Sequence, residues 1–295
     1  MSAGAPADAV TARAPAKVNA LLAVGPLRAD GFHELRTVYL AVSLVDVVSA
    51  RPGDGLSLAV TGEDAAVVPT DRRNLVWRAA ELLAEHAGVP ADAQLEITKS
   101  IPAAAGLAGG SADAAAALVA LDALWGTRAD RADLLELAAR LGSDVPFSLV
   151  GGVALGTGRG EQVAPVLAGG RSSWVLGIAG EGLSTPAVYA ELDRLRADED
   201  VPAPRLPGDL EAVLGAGSAG ELAPLLANDL QAAALSLAPQ LGPVLAAGAA
   251  SGALASFVSG SGPTVAHLVA DAAAAEDLAD VLRGQGAPAL AVRAP

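Results

Sequence analysis

The 295-residue sequence contains no cysteine. That excludes disulfides, thiolate zinc sites, iron–sulfur clusters and a cysteine nucleophile, and it suits a reducing compartment. Histidine is scarce. His33, His86 and His267 stand far apart, and no paired metal-ligand spacing such as HExxH occurs, so no metal ligands are assigned. Positive charge is also short: 19 Lys and Arg face 33 Asp and Glu, a net charge of −14. A basic surface for nucleic acid is therefore not expected. A small polyanion can still be held by backbone N–H groups, which carry no formal charge. The first residues lack the basic start and apolar stretch of a secretory signal. Residues 230–270 hold no Asp, Glu, Lys or Arg, but Pro239, Pro243 and Gly260-Ser-Gly-Pro263 interrupt them. A spanning helix needs ~20 strongly apolar residues in a row, so this stretch reads as a buried helix, a glycine turn and a strand. The expectation is a soluble cytoplasmic protein with no membrane partner.

With 52% hydrophobic and 18% charged residues, the chain is not a disordered polymer. Its length suggests about two domains at ~150 residues each. Residues 1–12 read as a loose tail. Period-two alternation predicts a strand over 14–24, with Lys17, Asn19 and Leu21 on one face. Strands follow over 37–49, 56–61, 95–101, 153–155 and 174–178, then around Phe257 and over 264–269. Helices are predicted over 74–86 (apolar face Leu75, Ala79, Leu82 and Leu83), 111–125, 130–141, 221–237, 239–249 and 272–283. The acidic, proline-rich run 196–209 reads as a surface loop. Strands and helices mix without regular βαβα alternation, which predicts two-layer α/β (α+β) domains rather than a Rossmann fold.

The strongest local signal is Pro102-Ala103-Ala104-Ala105-Gly106-Leu107-Ala108-Gly109-Gly110-Ser111-Ala112. A strand enters it and a helix leaves it. Small residues let a backbone approach an anion closely, and the N–H groups of a first helical turn stabilise negative charge. It is neither GxxxxGK[ST] nor GxGxxG. The plainer alternative is an ordinary helix start with Ser111 as N-cap. Other positions are ambiguous when taken alone. Asp144, before Val145-Pro146, reads as a helix cap or as an acid–base group. Lys17 reads as a guard on an edge strand or as a cation facing an anion. His33, after Asp30-Gly31-Phe32, reads as a loop histidine or, with Phe32, as a contact for a flat ligand. Gly156-Thr-Gly-Arg-Gly160 and Gly260-Ser-Gly-Pro263 read as turns or as nests of backbone donors.

In order along the chain, Ala14-Pro-Ala-Lys17-Val-Asn19, Arg28-Ala-Asp-Gly-Phe-His33, the 102–112 loop, Leu141-Gly-Ser-Asp144-Val-Pro-Phe and Ser259-Gly-Ser-Gly-Pro resemble the GHMP small-molecule kinases. The resemblance runs from about residue 13 to about residue 270. It is strongest to the branch that acts on a cytidylated methylerythritol in the non-mevalonate isoprenoid pathway. It implies a two-domain architecture, here 1–165 and 166–295, with the active site between the domains. It implies ATP with Mg²⁺ and phosphorylation of the substrate's 2-hydroxyl. On the matching positions it implies Asp144 as the base, Lys17 as its electrostatic partner and residues 102–112 as the triphosphate cradle. Asn19, Phe32, His33, Thr185 and Tyr189 fall on substrate positions, with His33 at the cytosine edge and Tyr189 stacking. Ala108 and Ala112 depart from the usual Gly and Ser, Phe32 from the usual Tyr, and Pro263 removes one backbone donor.

Overall fold

The computed structural model describes residues 9–180, 182–197 and 200–295. The expected tail lies outside the described residues through residue 8, and Val10 already belongs to a strand. In chain order the elements are β1 (Val10–Leu27), β2 (His33–Arg51), β3 (Leu56–Gly62), α1 (Leu75–Ala87), β4 (Ala93–Lys99), α2 (Gly109–Trp125), α3 (Arg131–Leu141), α4 (Val145–Val150), β5 (Val153–Thr157), β6 (Gln162–Val166) and β7 (Ser172–Ile178). They continue as α5 (Thr185–Leu195), α6 (Leu210–Ala216), α7 (Ala219–Leu222), β8 (Ala227–Asn228), α8 (Gln231–Leu237), α9 (Leu241–Ala250), β9 (Ala255–Val258), β10 (Thr264–Val269), α10 (Ala272–Gly284) and β11 (Ala289–Ala294). Two compact units form. The first takes the chain up to Ala16, Leu44–Ala103 and Ala108–Leu149; the second takes Lys17–Ser43, Ala104–Leu107 and Val150–Pro295.

In the first unit, β4 runs parallel to β3 and antiparallel to the Val47–Arg51 end of β2. Helix α1 starts where the Asn74 side chain accepts from Val76 N (2.9 Å) and stops at Gly88. Its buried face is Val76, Ala79, Ala80, Leu83 and Ala84, while Leu75 and Leu82 are only half-buried. The expected stripe is thus turned by about one position. Helix α2 is buried along most of its length, and its many alanines let neighbours approach closely. Asp130 and Asp133 form the capping box that opens α3.

The second unit holds the antiparallel sheet β11-β7-β10-β9. It also holds the pairings of β5 with β2 and β6, and of β8 with Leu21 and Leu22 of β1. Its core gathers Val175, Val188, Leu192, Leu230, Leu241, Val258, Val265, Leu278 and Leu282. One expectation fails here. The predicted helix over 221–237 is α7, a 3₁₀ turn, strand β8 and α8. Pro224 supplies no N–H to continue a helix, and the Asn228 side chain takes up backbone groups instead, donating to Val258 O and Gly260 O (2.6 and 2.7 Å). Beyond the predicted helix over 272–283, β11 follows α10 and pairs with β7.

His267 is fully buried on β10. Its Nδ1 shares a hydrogen bond with Ser256 Oγ (2.8 Å), and its Nε2 has no partner among the described residues. Burial pushes its pKa down to about 4 from the model-compound value of 6.5. Between these values the unfolded chain binds a proton that the folded chain refuses. The contribution is therefore complete above about pH 6.5 and is lost as pH falls toward 4, an effect of about 3 kcal/mol. Urea unfolding across this range is expected to show the loss, and His267→Gln is expected to reduce the slope. An unchanged slope in the variant contradicts the assignment.

Candidate functional site

The 102–112 loop ends in a helix start, but not the one a Ser111 cap would make. Helix α2 begins two residues earlier, its N-cap is Ala108 in left-handed backbone (φ 58°), and no side chain caps it. The N–H groups of Gly109, Gly110 and Ser111 precede the first intrahelical bond, from Ala112 N to Ala108 O (2.9 Å). Every second residue before the helix is left-handed: Ala104 at 56°, Gly106 at 76° and Ala108 at 58°. Alanine takes this conformation only at a cost, so the surroundings must enforce it. They do so residue by residue. Ala103 N donates to Asp64 Oδ2 (2.9 Å), Ala105 O accepts from Thr264 Oγ1 (2.6 Å) and Leu107 O accepts from Lys17 N (3.1 Å). Pro102 is half-buried, Ala105, Leu107 and Ala112 are buried, and Ala104 and Gly110 are exposed. The loop is thus made of small residues held by backbone bonds, and α2 opens on unbonded backbone N–H groups, a feature suited to phosphate.

Lys17 is not an edge lysine. β1 lies between β2 and β8 in the strand order, and the residue is 5% exposed. An ammonium buried this far needs acceptors. Asn19 supplies one, its Oδ1 standing 2.5 Å from Lys17 Nζ. The amide is held in that orientation because its Nδ2 donates to Thr37 Oγ1 (2.9 Å), which donates in turn to Leu21 O (2.7 Å). The alternation of β1 put Lys17 and Asn19 on one face, and the bond between them agrees. The Asn19 N–H reaches Ser259 Oγ (3.3 Å) at the edge of the glycine turn 259–262, which Asn228 holds from the other side.

His33 is the first residue of β2 and is buried rather than a loop residue. Its Nε2 lies 2.8 Å from Asp193 Oδ1 on α5, and its ring stacks on Tyr189 one turn earlier (centroids 5.1 Å apart, planes at 27°). Phe32 stays 46% exposed, with the Arg159 guanidinium 5.1 Å from its ring centroid. Thr185 is exposed at the start of α5 and bonds Ser261 Oγ (2.9 Å). The structure thus joins Lys17 with Asn19, and His33 with Tyr189. Thr185 joins the glycine turn instead. Asp144 belongs to the first unit; its carbonyl accepts from Ser148 N (3.2 Å) at the start of α4.

Sequence reading missed Asp193 and Arg159, which contact His33 and Phe32. It also missed Asp46, Lys99 and Asp113, a buried ionic cluster in the first unit. Lysine usage was an available signal: the chain has only two lysines, and both are buried. Among the described residues no group of three or more His, Asp or Glu is placed to hold a metal ion. No helix among them is long and apolar enough to cross a membrane.

Residues 74–152 match the GHMP kinases N terminal domain, and residues 210–287 match the GHMP kinases C terminal domain. A 4-diphosphocytidyl-2-C-methyl-D-erythritol kinase of Streptomyces coelicolor is 58% identical over 94% of this chain and 93% of its own length. One of Mycobacterium tuberculosis is 57% identical over 95% of this chain and 88% of its own. A crystal structure of 4-(cytidine 5'-diphospho)-2C-methyl-D-erythritol kinase superposes with a TM-score of 0.80 at 35% identity, covering 96% of this chain and 98% of that one. A homoserine kinase from Cytophaga hutchinsonii shares the fold, with a TM-score of 0.73 at 20% identity over 100% of this chain and 97% of its own. The α/β (α+β) fold, the loop that opens α2 and identity at this level along nearly the whole chain agree: this chain belongs to the GHMP kinases and, within them, to the 4-diphosphocytidyl-2-C-methyl-D-erythritol kinase family.

Proposed function

We propose that the chain transfers the γ-phosphoryl group of ATP to the 2-hydroxyl of 4-diphosphocytidyl-2-C-methyl-D-erythritol, releasing ADP, in the cytoplasmic non-mevalonate route to isoprenoid precursors. The observation that carries this reading is 57–58% identity along nearly the whole chain to kinases of that name. The division into an ATP-binding half through residue 165 and a C-terminal half from 166 belongs to the same proposal. In the reaction the hydroxyl oxygen attacks the γ-phosphorus, the bond to the β-phosphate oxygen breaks, and Asp144 takes the hydroxyl proton. Lys17, with its ammonium oriented by Asn19, offsets negative charge on the reacting groups. Residues 102–112 hold the triphosphate through backbone N–H groups. Mg²⁺ would be held largely by the phosphate oxygens and water, with one or two protein oxygens. Ser111 and Asp144 are the candidate side chains for it, and its contribution when bound would be to neutralise phosphate charge.

On the acceptor side, the His33–Tyr189 stack and the exposed Phe32 ring are flat surfaces suited to a pyrimidine. With Mg-ATP, ADP release is expected with the cytidylated alcohol and not with uncytidylated methylerythritol phosphate, homoserine or mevalonate. Phe32→Ala and His33→Ala are expected to raise the KM for the cytidylated substrate by about tenfold or more and to leave the KM for ATP alone. Turnover on another alcohol keeps the kinase and discards the substrate. Equal shifts in both KM values show the 28–34 loop to be structural.

A further inference from the structure

Beneath the start of α2 lies a cluster for which the reaction has no direct use. Lys99 ends β4 with its side chain 3% exposed, and its ammonium is bonded to Asp46 Oδ2 on β2 and to Asp113 Oδ2 on α2 (2.9 Å to the latter). Asp46 is fully buried, and its Oδ1 accepts from Ser100 N (2.6 Å) and Ile101 N (2.8 Å), the two residues before Pro102. At the far end of the loop, a β carbon on Gly109 would stand 3.0 Å from Lys99 Nζ, so the ammonium lies directly against the first helical turn. The cluster therefore grips the strand end that enters the loop and the helix that leaves it. Burying three charged groups costs more than joining strand to helix with apolar side chains, so adhesion alone does not explain them.

We propose that Lys99 is a positioning residue for the nucleotide phosphates, holding the two ends of the 102–112 loop in register through Asp46 and Asp113 without touching the ligand. This rests on reading that loop as the ATP site. Two carboxylates share the one ammonium, so its removal leaves both without their cation and unties the strand end from the helix.

The test is steady-state kinetics on the full chain, varying ATP and the cytidylated alcohol separately. Lys99→Met is expected to raise the KM for ATP by about tenfold or more, while the KM for the alcohol stays within about twofold. Asp113→Asn keeps the side-chain shape but loses the ion pair with Lys99, so it is expected to raise the ATP KM severalfold and leave the KM for the alcohol within about twofold. A Lys99→Met enzyme with an unchanged ATP KM, or with both KM values moved alike, overturns the proposal. So does an Asp113→Asn enzyme with an unchanged ATP KM, a readout that stands even if Lys99→Met does not fold. A wild type whose rate shows no saturable dependence on ATP instead overturns the ATP-site reading itself, and this inference with it.

Discussion

Asp144→Asn is expected to lower turnover by about 10²–10⁴, the range for loss of a general base, while ATP affinity changes little. The substitution is nearly isosteric, and an amide cannot take the hydroxyl proton. The Asp144 main-chain carbonyl accepts from both the N–H and the Oγ of Ser148 at the start of α4 (3.2 and 3.3 Å). Asparagine keeps that carbonyl. Single-turnover phosphoryl transfer measured beside ATP binding by titration separates the alternatives. A large loss of rate with preserved binding supports the base. Near wild-type turnover removes Asp144 from that role, and parallel loss of rate and binding makes it a ligand of the nucleotide or its metal.

Much of the fold was legible because several elements carry local signals that tertiary packing did not override. Asn74 and Gly88 bound α1, Asp130 with Asp133 opens α3, and Gly126 closes α2, all from short-range capping chemistry. The alternation of β1 placed Lys17 and Asn19 together because the side-chain period of a strand is two. Where sequence reading failed, the deciding contact was distant. Strand β8 is two residues long, and its pairing partners, Leu21 and Leu22, lie some 200 positions away. No window of local pattern contains that bond. The same holds for the ionic cluster: Lys99 meets Asp46 across 53 positions. In sequence, Lys99 reads as one polar residue at the end of an alternating strand. Asp193 lies on a helix the sequence reading did not predict, and it reaches His33 only because β2 and α5 are brought together. The site residues that were legible lie in motifs; those that position them are scattered.

Gly106 tests the loop most severely. Replacement by valine is expected to raise the KM for ATP by about 10² or more, because two independent constraints meet at this residue. Its φ of 76° lies in the left-handed region, which costs a side-chain-bearing residue roughly 1–2 kcal/mol. A β carbon there would also lie 2.4 Å from Gly262 O, an overlap with backbone that no rotamer relieves. The loop cannot withdraw without breaking bonds on either side, since Ala105 O is held by Thr264 and Leu107 O by the Lys17 N–H. The donors at 109–111 follow three residues after the displaced backbone. Gly286→Ala separates the two costs. Gly286 is also left-handed (φ 86°), but a β carbon there meets nothing within 4 Å. It is expected to lower the melting temperature slightly and leave the ATP KM alone. If Gly106→Val melts lower but binds ATP as the wild type does, the loop is a structural bridge and the phosphates bind elsewhere. A rise in ATP KM alone, measured on protein that stays folded at the assay temperature, ties the cradle to this backbone.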